Sequence, residues 1–188
     1  MTHRRPSLLR RLYRFRRDES GSMTVEACLI LPVWLWVWIM CVQFFDAFRT
    51  HTVNLRATYT VADMISRETS SVGPKYIANM KSLFDYVSRA TRPTTLRVTS
   101  VYYDSTKKAY RVNWSYAVGG TTTVQTDTSI AKEAARIPNL LEGETLVLVE
   151  THMDYDPTFN IGINDIDYDY FITTAPRFAS QVSYSASS

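Results

Sequence analysis

Residues 21–45 read GSMTVEACLILPVWLWVWIMCVQFF, and this stretch decides how the rest of the chain is interpreted. No charged residue lies between Ala27 and Val42, and the apolar stretch from Met23 to Phe45 counts 23 residues. As an α-helix it would be about 35 Å long, enough to cross a hydrocarbon core of about 30 Å. The alternative is a buried core helix of a soluble protein, which an adjacent arginine cluster disfavours. The sequence therefore predicts a transmembrane helix over residues 22–45.

The arginines ahead of this stretch predict its orientation. Residues 1–21 contain seven arginines against Asp18 and Glu19, a charge of about +5 that leaves about −2 for the remainder. Because basic residues flank the cytoplasmic end of a membrane helix, residues 1–21 are predicted to form a basic cytoplasmic leader, with everything from about Asp46 onward outside. A cleavable secretory signal would be shorter and end at a small-residue cleavage site. The later part of the chain has no basic patch interleaved with aromatics, so we expect no nucleic-acid binding.

The two cysteines do not indicate a disulfide or a metal site. Cys28 and Cys41 are thirteen residues apart in the apolar stretch, about 19 Å along a helix and on different faces. They cannot pair with each other, and a zinc site built from paired cysteines is excluded. We expect both to be small buried hydrophobic residues.

Glu26 is unusual because it lies inside the predicted membrane helix. An ionised carboxylate at the centre of such a helix costs about 3 kcal/mol, and less near an end. One explanation is that the side chain snorkels to the interface beside Arg16 or Arg17. The other is that it awaits a cation supplied by a partner. The spacing favours the partner, since a cut after Gly21 would make Glu26 the fifth residue of the mature chain.

A short basic leader, a glycine, a glutamate five positions on and a membrane helix together resemble a type IV prepilin. The resemblance is most specific to the TadE/TadG-like pseudopilins of the Flp/tight-adherence branch, which carry a phrase like GxxxVExAxxxP. The matching residues here are Gly21, Val25, Glu26, Ala27 and Pro32. Two later phrases are also similar to that family: LVLVETHMDYDP at residues 146–157, with Tyr155 and Pro157, and TTAPRF at residues 173–178.

The resemblance implies a non-enzymatic pilus protein without a cofactor, a minor pilin or pseudopilin. It implies cleavage by prepilin peptidase between Gly21 and Ser22, and pairing of Glu26 with the new α-ammonium of a neighbouring subunit, which would fix the register between helices. Expected partners are prepilin peptidase, other pilin and pseudopilin subunits, the inner-membrane pilus assembly platform and membrane lipid. The expected location is the bacterial inner membrane, with a cytoplasmic amino terminus and a periplasmic C-terminal domain, and after assembly the extracellular pilus.

Hydrophobic spacing predicts that the helix continues as an amphipathic extension over residues 46–73. A stripe of residues at helical spacing is predicted to pack on a sheet, and the breakers in SSVGP to end the helix near Ser70–Pro74. The stripe consists of Phe44, Phe48, Leu55, Tyr59, Ala62 and Ile65. The first four of these, with Ala27 and Pro32 in the membrane helix, are the predicted helix-packing residues.

Residues 74–180 are predicted to form an outer α+β domain, an antiparallel sheet packed on helices as in pilins. The first element is a helix over Lys75–Ala90, with Ile77, Met80, Phe84 and Val87 on one side. Later elements are strands at Leu96–Tyr103 and 110–116 joined by DSTKK, a third strand returning from GGTTTVQT, a helix near Ile130–Arg136, strands at Thr145–Thr151 and Asp167–Thr173, and a flexible tail over 181–188.

Two polar features of this domain are weaker candidates for a site. Five aspartates bracket one loop, but their spacing lacks the glycine and final glutamate of an EF-hand, so a solvated acidic face is expected rather than calcium. They are Asp154, Asp156, Asp165, Asp167 and Asp169. His152 has no second histidine nearby and is expected to be structural or on the surface.

The alternative function is an uncleaved, membrane-anchored protein whose periplasmic domain binds a ligand or acts as an enzyme.

Overall fold

The computed structural model describes residues 22–120, 122–159 and 165–186. It has one long apolar N-terminal helix and a four-stranded antiparallel sheet, which confirms the predicted α+β class. The predicted leader lies outside the described residues. In chain order the elements are α1 (Ser22–Ser66), α2 (Pro74–Ser88), β1 (Thr94–Asp104), β2 (Ala109–Val118), α3 (Asp127–Lys132), a 3-10 turn (Ala134–Arg136), β3 (Thr145–Tyr155) and β4 (Ile166–Thr174).

Helix α1 is 45 residues long and is divided between two compact units, which meet between Phe44 and Phe45. The first unit is the apolar part of the helix, and most of its large side chains are exposed. Cys28 and Cys41 are free and exposed there, so the expectation that both are buried is wrong for the single chain.

The sheet has the strand order β2-β1-β3-β4, with every neighbouring pair antiparallel. The hairpin between β1 and β2 turns at the predicted DSTKK segment. The Asp104 carboxylate accepts hydrogen bonds from the amides of Thr106 (3.0 Å) and Lys107 (3.1 Å), and Lys108 takes a positive φ of 49°. An aspartate that caps its own turn in this way favours a tight connection.

One face of the sheet is covered by α2 and by the part of α1 that lies in the second unit. The predicted apolar face of α2 is confirmed for Ile77, Met80 and Phe84, which are buried, while Val87 is half-buried. These residues form one core with Leu96, Val98, Val147 and Val149 of the central strands and with Ala57, Val61, Ala62 and Ile65 of α1. The core therefore joins the helix extension to the sheet.

The predicted stripe of α1 was only partly right. Ala62 and Ile65 pack on the sheet, but Phe48 and Tyr59 are exposed, as is Phe44 in the first unit, and Leu55 is half-buried. The buried face consists mainly of small residues: Ala47, Asn54, Ala57, Thr58, Val61, Ala62, Ile65 and Ser66. Small side chains let a helix axis approach a sheet closely, and large aromatics at those positions would hold it away.

A smaller cluster covers part of the opposite face of the sheet. Ile130 of α3 and Ile137, just after the 3-10 turn, pack with Val101, Leu146 and Leu148. The predicted helix near Ile130–Arg136 is thus two short pieces, Asp127–Lys132 and Ala134–Arg136. They cover only one end of this face and leave its other end open.

The predicted third strand from GGTTTVQT is wrong. After a turn at Gly119 (φ 87°) and Gly120 (φ 56°), residues 122–126 belong to no strand. Hydrogen bonds to side chains take the place of strand pairing in this segment. The backbone amide of Gln125 donates to the hydroxyl of Ser115 (2.9 Å), and the Arg97 guanidinium donates to the carbonyl of Thr123 (2.9 Å).

The C-terminal segment is packed rather than frayed, so the predicted flexible tail is wrong for residues 181–186. Val182 is buried, and its carbonyl accepts a hydrogen bond from the indole of Trp114 at 2.8 Å. Val72 forms a parallel bridge with Tyr184, whose ring stacks on Trp114 at 5.3 Å. The segment thereby joins the edge of the sheet to the connection between α1 and α2.

Helix α1 ends at Ser66, earlier than predicted. The amide of Arg177 donates to the Ser66 carbonyl at 2.8 Å, and the Arg177 guanidinium pairs with Asp63 at 2.9 Å. A contact from distant sequence thus satisfies the helix end before the glycine and proline of SSVGP are reached. Strand β3 is longer than predicted and continues to Tyr155.

Candidate functional site

The first candidate site is the apolar part of α1. The helix contains an 18-residue window with a mean hydropathy of 2.1, none of it buried against the rest of the protein. It is long and apolar enough to cross a membrane. The exposed side chains include Trp34, Trp36 and Trp38, and a large exposed apolar surface is typical of a membrane-contacting or protein-contacting site.

Glu26 lies one turn inside this helix. It shares a face with Met23, Ala27, Ile30 and Trp34. None of the ion pairs formed by the described residues includes Glu26. Within the described part of the chain, its carboxylate therefore has apolar surroundings and no basic partner. Ser22 is the first helical residue, and Gly21 lies outside the described residues.

The second unit fixes the start of its part of α1 through three tyrosine hydroxyls. Tyr155 donates to the carboxylate of Asp46, Tyr168 to the carbonyl of Ala47 and Tyr170 to the carbonyl of His51, each at 2.9 Å. We call these three residues the tyrosine anchor. Its contacts begin at the first charged residue after the apolar stretch.

Packing and electrostatics support the anchor. The ring of His51 meets the rings of Tyr168 and Tyr170 edge-on, with both centroid distances 5.6 Å. Burial, together with the negative charge of Asp46, raises the pKa of Tyr168, and burial raises the pKa of Tyr170 to about 12. Both hydroxyls therefore keep their protons, and remain donors, throughout the physiological range. Further along the helix, the hydroxyls of Thr58 and Thr151 meet at 2.7 Å inside the core.

The open end of the opposite face of the sheet holds a polar cavity of about 710 Å³. At its base Arg97 and Glu150, directly opposite each other on β1 and β3, form a bidentate pair with both distances 2.6 Å. Their side chains are only 19% and 16% exposed. A pair of this geometry is strong because two parallel hydrogen bonds are charge-assisted.

His152 lies at the mouth of the same cavity, between two aspartates. Its Nδ1 lies 2.7 Å from Asp169, the residue opposite it on β4, and its Nε2 lies 2.8 Å from Asp154. Burial lowers the pKa of His152, but the hydrogen bonds and charges of the two carboxylates outweigh burial, so the net pKa is raised. The carboxylates flank opposite edges of the ring and do not converge on one point.

The predicted acidic loop is split among separate contacts. Asp154 and Asp169 bind His152, and Asp156 pairs with Arg92. Residues 160–164, between the aspartates, lie outside the described residues. In the part of the chain that the structure describes, no group of three His, Cys, Asp or Glu side chains is arranged to hold a metal ion.

Sequence reasoning missed the tyrosine anchor and the histidine pair. A signal for both existed in the alternation of DYDYF at residues 167–171, which places Tyr168 and Tyr170 on one face of β4 and Asp169 on the other. Comparisons with protein-family models, curated proteins and solved structures find no match for this chain.

Proposed function

We propose that the chain is a minor pilin or pseudopilin of the Flp/tight-adherence type, inserted in the bacterial inner membrane and processed between Gly21 and Ser22. The observation that carries the proposal is Glu26 near the start of an exposed apolar helix. A carboxylate there is unfavourable in lipid by up to about 3 kcal/mol unless a cation joins it. The α-ammonium created at Ser22 of a neighbouring subunit is such a cation.

The exposed surface of the apolar helix supports assembly with other membrane helices. Ala27 and Pro32 are exposed together with the tryptophans, and none of the 18-residue apolar window is buried. In the proposed assembly, prepilin peptidase removes the leader, the inner-membrane platform receives the mature chain, and other pilin helices and lipid cover α1. The tyrosine anchor holds the part of α1 that lies in the second unit against the sheet. The protein is a substrate of the peptidase and has no catalytic role in this proposal.

Processing is tested at the amino terminus of the mature protein. Protein extracted from membranes of cells that contain the peptidase should begin at Ser22 and be lighter by the mass of residues 1–21. Gly21→Val should retain Met1, since a β-branched residue cannot take the backbone conformations open to glycine in a narrow protease cleft. Ser20→Val is the matched control and should still be processed. An intact leader on the wild-type chain under pilus-forming conditions would overturn the proposal.

Pairing of Glu26 is tested separately from cleavage. Glu26→Gln and Glu26→Ala should be processed normally but enter filaments or pilin complexes much less, because neither side chain carries the charge that pairs with an ammonium. Glu26→Asp keeps the charge on a shorter side chain and should be intermediate. Pulldown of a tagged neighbouring pilin measures the incorporation. Wild-type incorporation of Glu26→Gln would contradict the pairing role.

The second candidate is an uncleaved, membrane-anchored binding protein, which the polar cavity beside His152 favours. Its distinguishing result is a stable, full-length chain in cells that make pili. Under that function, Glu26 only snorkels to the interface, and Glu26→Gln leaves every interaction unchanged.

A further inference from the structure

A second cavity, of about 490 Å³, opens where the second unit begins. Its wall is formed by the first turns of α1 after the apolar stretch, the C-terminal end of α2 and the end of β3. This volume lies within the range of about 300–1,000 Å³ that is usual for small-molecule sites. We call it the exit cavity, because Asp46 and Arg49 in its wall are the first charged residues after the apolar stretch.

Most of the unpaired charges that line the exit cavity are basic. Arg49 of α1 and Arg89, which caps α2, both line it and both are exposed. Neither guanidinium takes part in an ion pair among the described residues. Two arginines from different elements, neither of them in an ion pair among the described residues, therefore line one concave surface.

The acidic residues of the same wall are already engaged. The carboxylate of Asp46 accepts a hydrogen bond from the hydroxyl of Tyr155. Asp154 pairs with His152, and Asp156 pairs with Arg92. Asp154 and Asp156 are thus in ion pairs, whereas Asp46 accepts only a neutral hydroxyl. Among the described residues of the wall, the unpaired charges are therefore two positive and one negative.

Hydroxyl groups complete the lining. Thr50, Thr91 and Thr158 also line the cavity. Guanidinium groups with nearby hydroxyls match the oxygens of a phosphate, which guanidinium binds through paired hydrogen bonds.

We propose that the exit cavity binds a phosphate group through Arg49 and Arg89, with a phospholipid headgroup or free phosphate as its source. Arg49 follows the last apolar residue, Phe45, by four positions, about 6 Å along the helix, which is the depth of the headgroup layer. This position favours a lipid phosphate. The inference depends on membrane anchoring, but it does not depend on the chain being a pilin.

The experiment uses the full chain in detergent micelles that contain defined amounts of phosphatidylglycerol, and native mass spectrometry counts the lipids retained. Arg49→Gln and Arg89→Gln should each lower lipid retention by about tenfold, the loss expected for one charge-assisted contact. Arg56→Gln is the matched control, because Arg56 is also an exposed arginine of α1 but does not line the exit cavity. Among the described residues, neither cavity arginine has a side-chain partner to lose, so all three variants should fold and partition into membranes like the wild type.

A second arm separates the two sources of phosphate. Inorganic phosphate is added to the lipid-free micelles, and the midpoint of thermal unfolding is measured against chloride at equal ionic strength. Selective loss of phosphatidylglycerol from the two cavity variants supports a lipid headgroup. Free phosphate is supported if the wild type and the cavity variants retain equal amounts of lipid, and if phosphate raises the midpoint of the wild type but not of the variant that carries both Arg49→Gln and Arg89→Gln. If retention and the midpoint are the same in all variants, the proposal is wrong, whatever the amino terminus of the mature chain proves to be.

Discussion

Tyr155→Phe should weaken the tyrosine anchor more than the same substitution at Tyr168 or Tyr170. The Tyr155 hydroxyl donates to a carboxylate, and hydrogen bonds to charged groups contribute about 1.5–3 kcal/mol. Asp46 is exposed, so water can replace the lost donor, and we expect the low end, about 1.5 kcal/mol. The other two hydroxyls donate to helix carbonyls that also accept a backbone amide, and neutral bonds of this kind contribute about 0.5–1.5 kcal/mol.

The expected effects of Tyr168→Phe and Tyr170→Phe on stability differ because the two side chains are buried to different extents. Tyr168 is 7% exposed and Tyr170 is half-buried, so Tyr168→Phe should cost about 1 kcal/mol and Tyr170→Phe about 0.5 kcal/mol. For a chain of this size, 1 kcal/mol corresponds to a shift of about 2–4 °C in the midpoint of thermal unfolding. Tyr155→Phe should therefore lower the midpoint by about 3–6 °C.

The assay is thermal unfolding of the full chain in detergent micelles, followed by near-ultraviolet circular dichroism. Tyr86→Phe is the matched control, because Tyr86 is 84% exposed on α2 and should leave the midpoint unchanged. If Tyr155→Phe shifts the midpoint no more than Tyr86→Phe, the hydroxyl does not hold α1 on the sheet. A larger effect at Tyr170 than at Tyr155 would equally refute the reasoning from charge and burial.

Two further predictions concern the sheet. The pKa of His152 is raised by Asp169 and Asp154 despite partial burial, so the stability that its protonated form contributes is fully present below its unfolded pKa of about 6.5 and is lost as the pH rises through the folded pKa. His152→Gln should abolish this dependence in denaturant titrations between pH 5 and 8, and an unchanged dependence would assign it to other groups. Gly119→Ala should be much more destabilising than Gly143→Ala, although both glycines have a φ of 87°, because a Cβ at Gly119 would lie 2.3 Å from a carbonyl oxygen of β1 and one at Gly143 meets open space. Backbone strain alone should cost about 1 kcal/mol at Gly143, and equal midpoints for the two variants would show that the close approach at Gly119 relaxes without cost.

The sequence predicted the elements whose signals are local. The apolar run, the strands β1 and β2 and the DSTKK turn between them depend on residues close in the chain, and the fold has them where predicted. The packed C-terminal segment and the early end of α1 depend on long-range contacts, Trp114 with Val182 and Arg177 with Ser66. A serine-rich composition predicts a solvated C-terminal end. Composition does not reveal that the indole of Trp114 binds this end.

The stripe on α1 was misplaced for a related reason, since hydrophobicity alone does not say which face of a helix meets a sheet. The sheet is met by Ala57, Thr58 and Val61, whose small volumes permit close approach and whose polar member finds a partner in Thr151. Large aromatics of the same segment, such as Tyr59 at 55% exposure, remain outside. In this helix, small residues face the sheet, and large aromatic residues lie on the side that faces away from the sheet. The small face then belongs to the fold of the second unit, and the aromatic face is the part of the extension left for lipid or neighbouring subunits in the assembly proposed above.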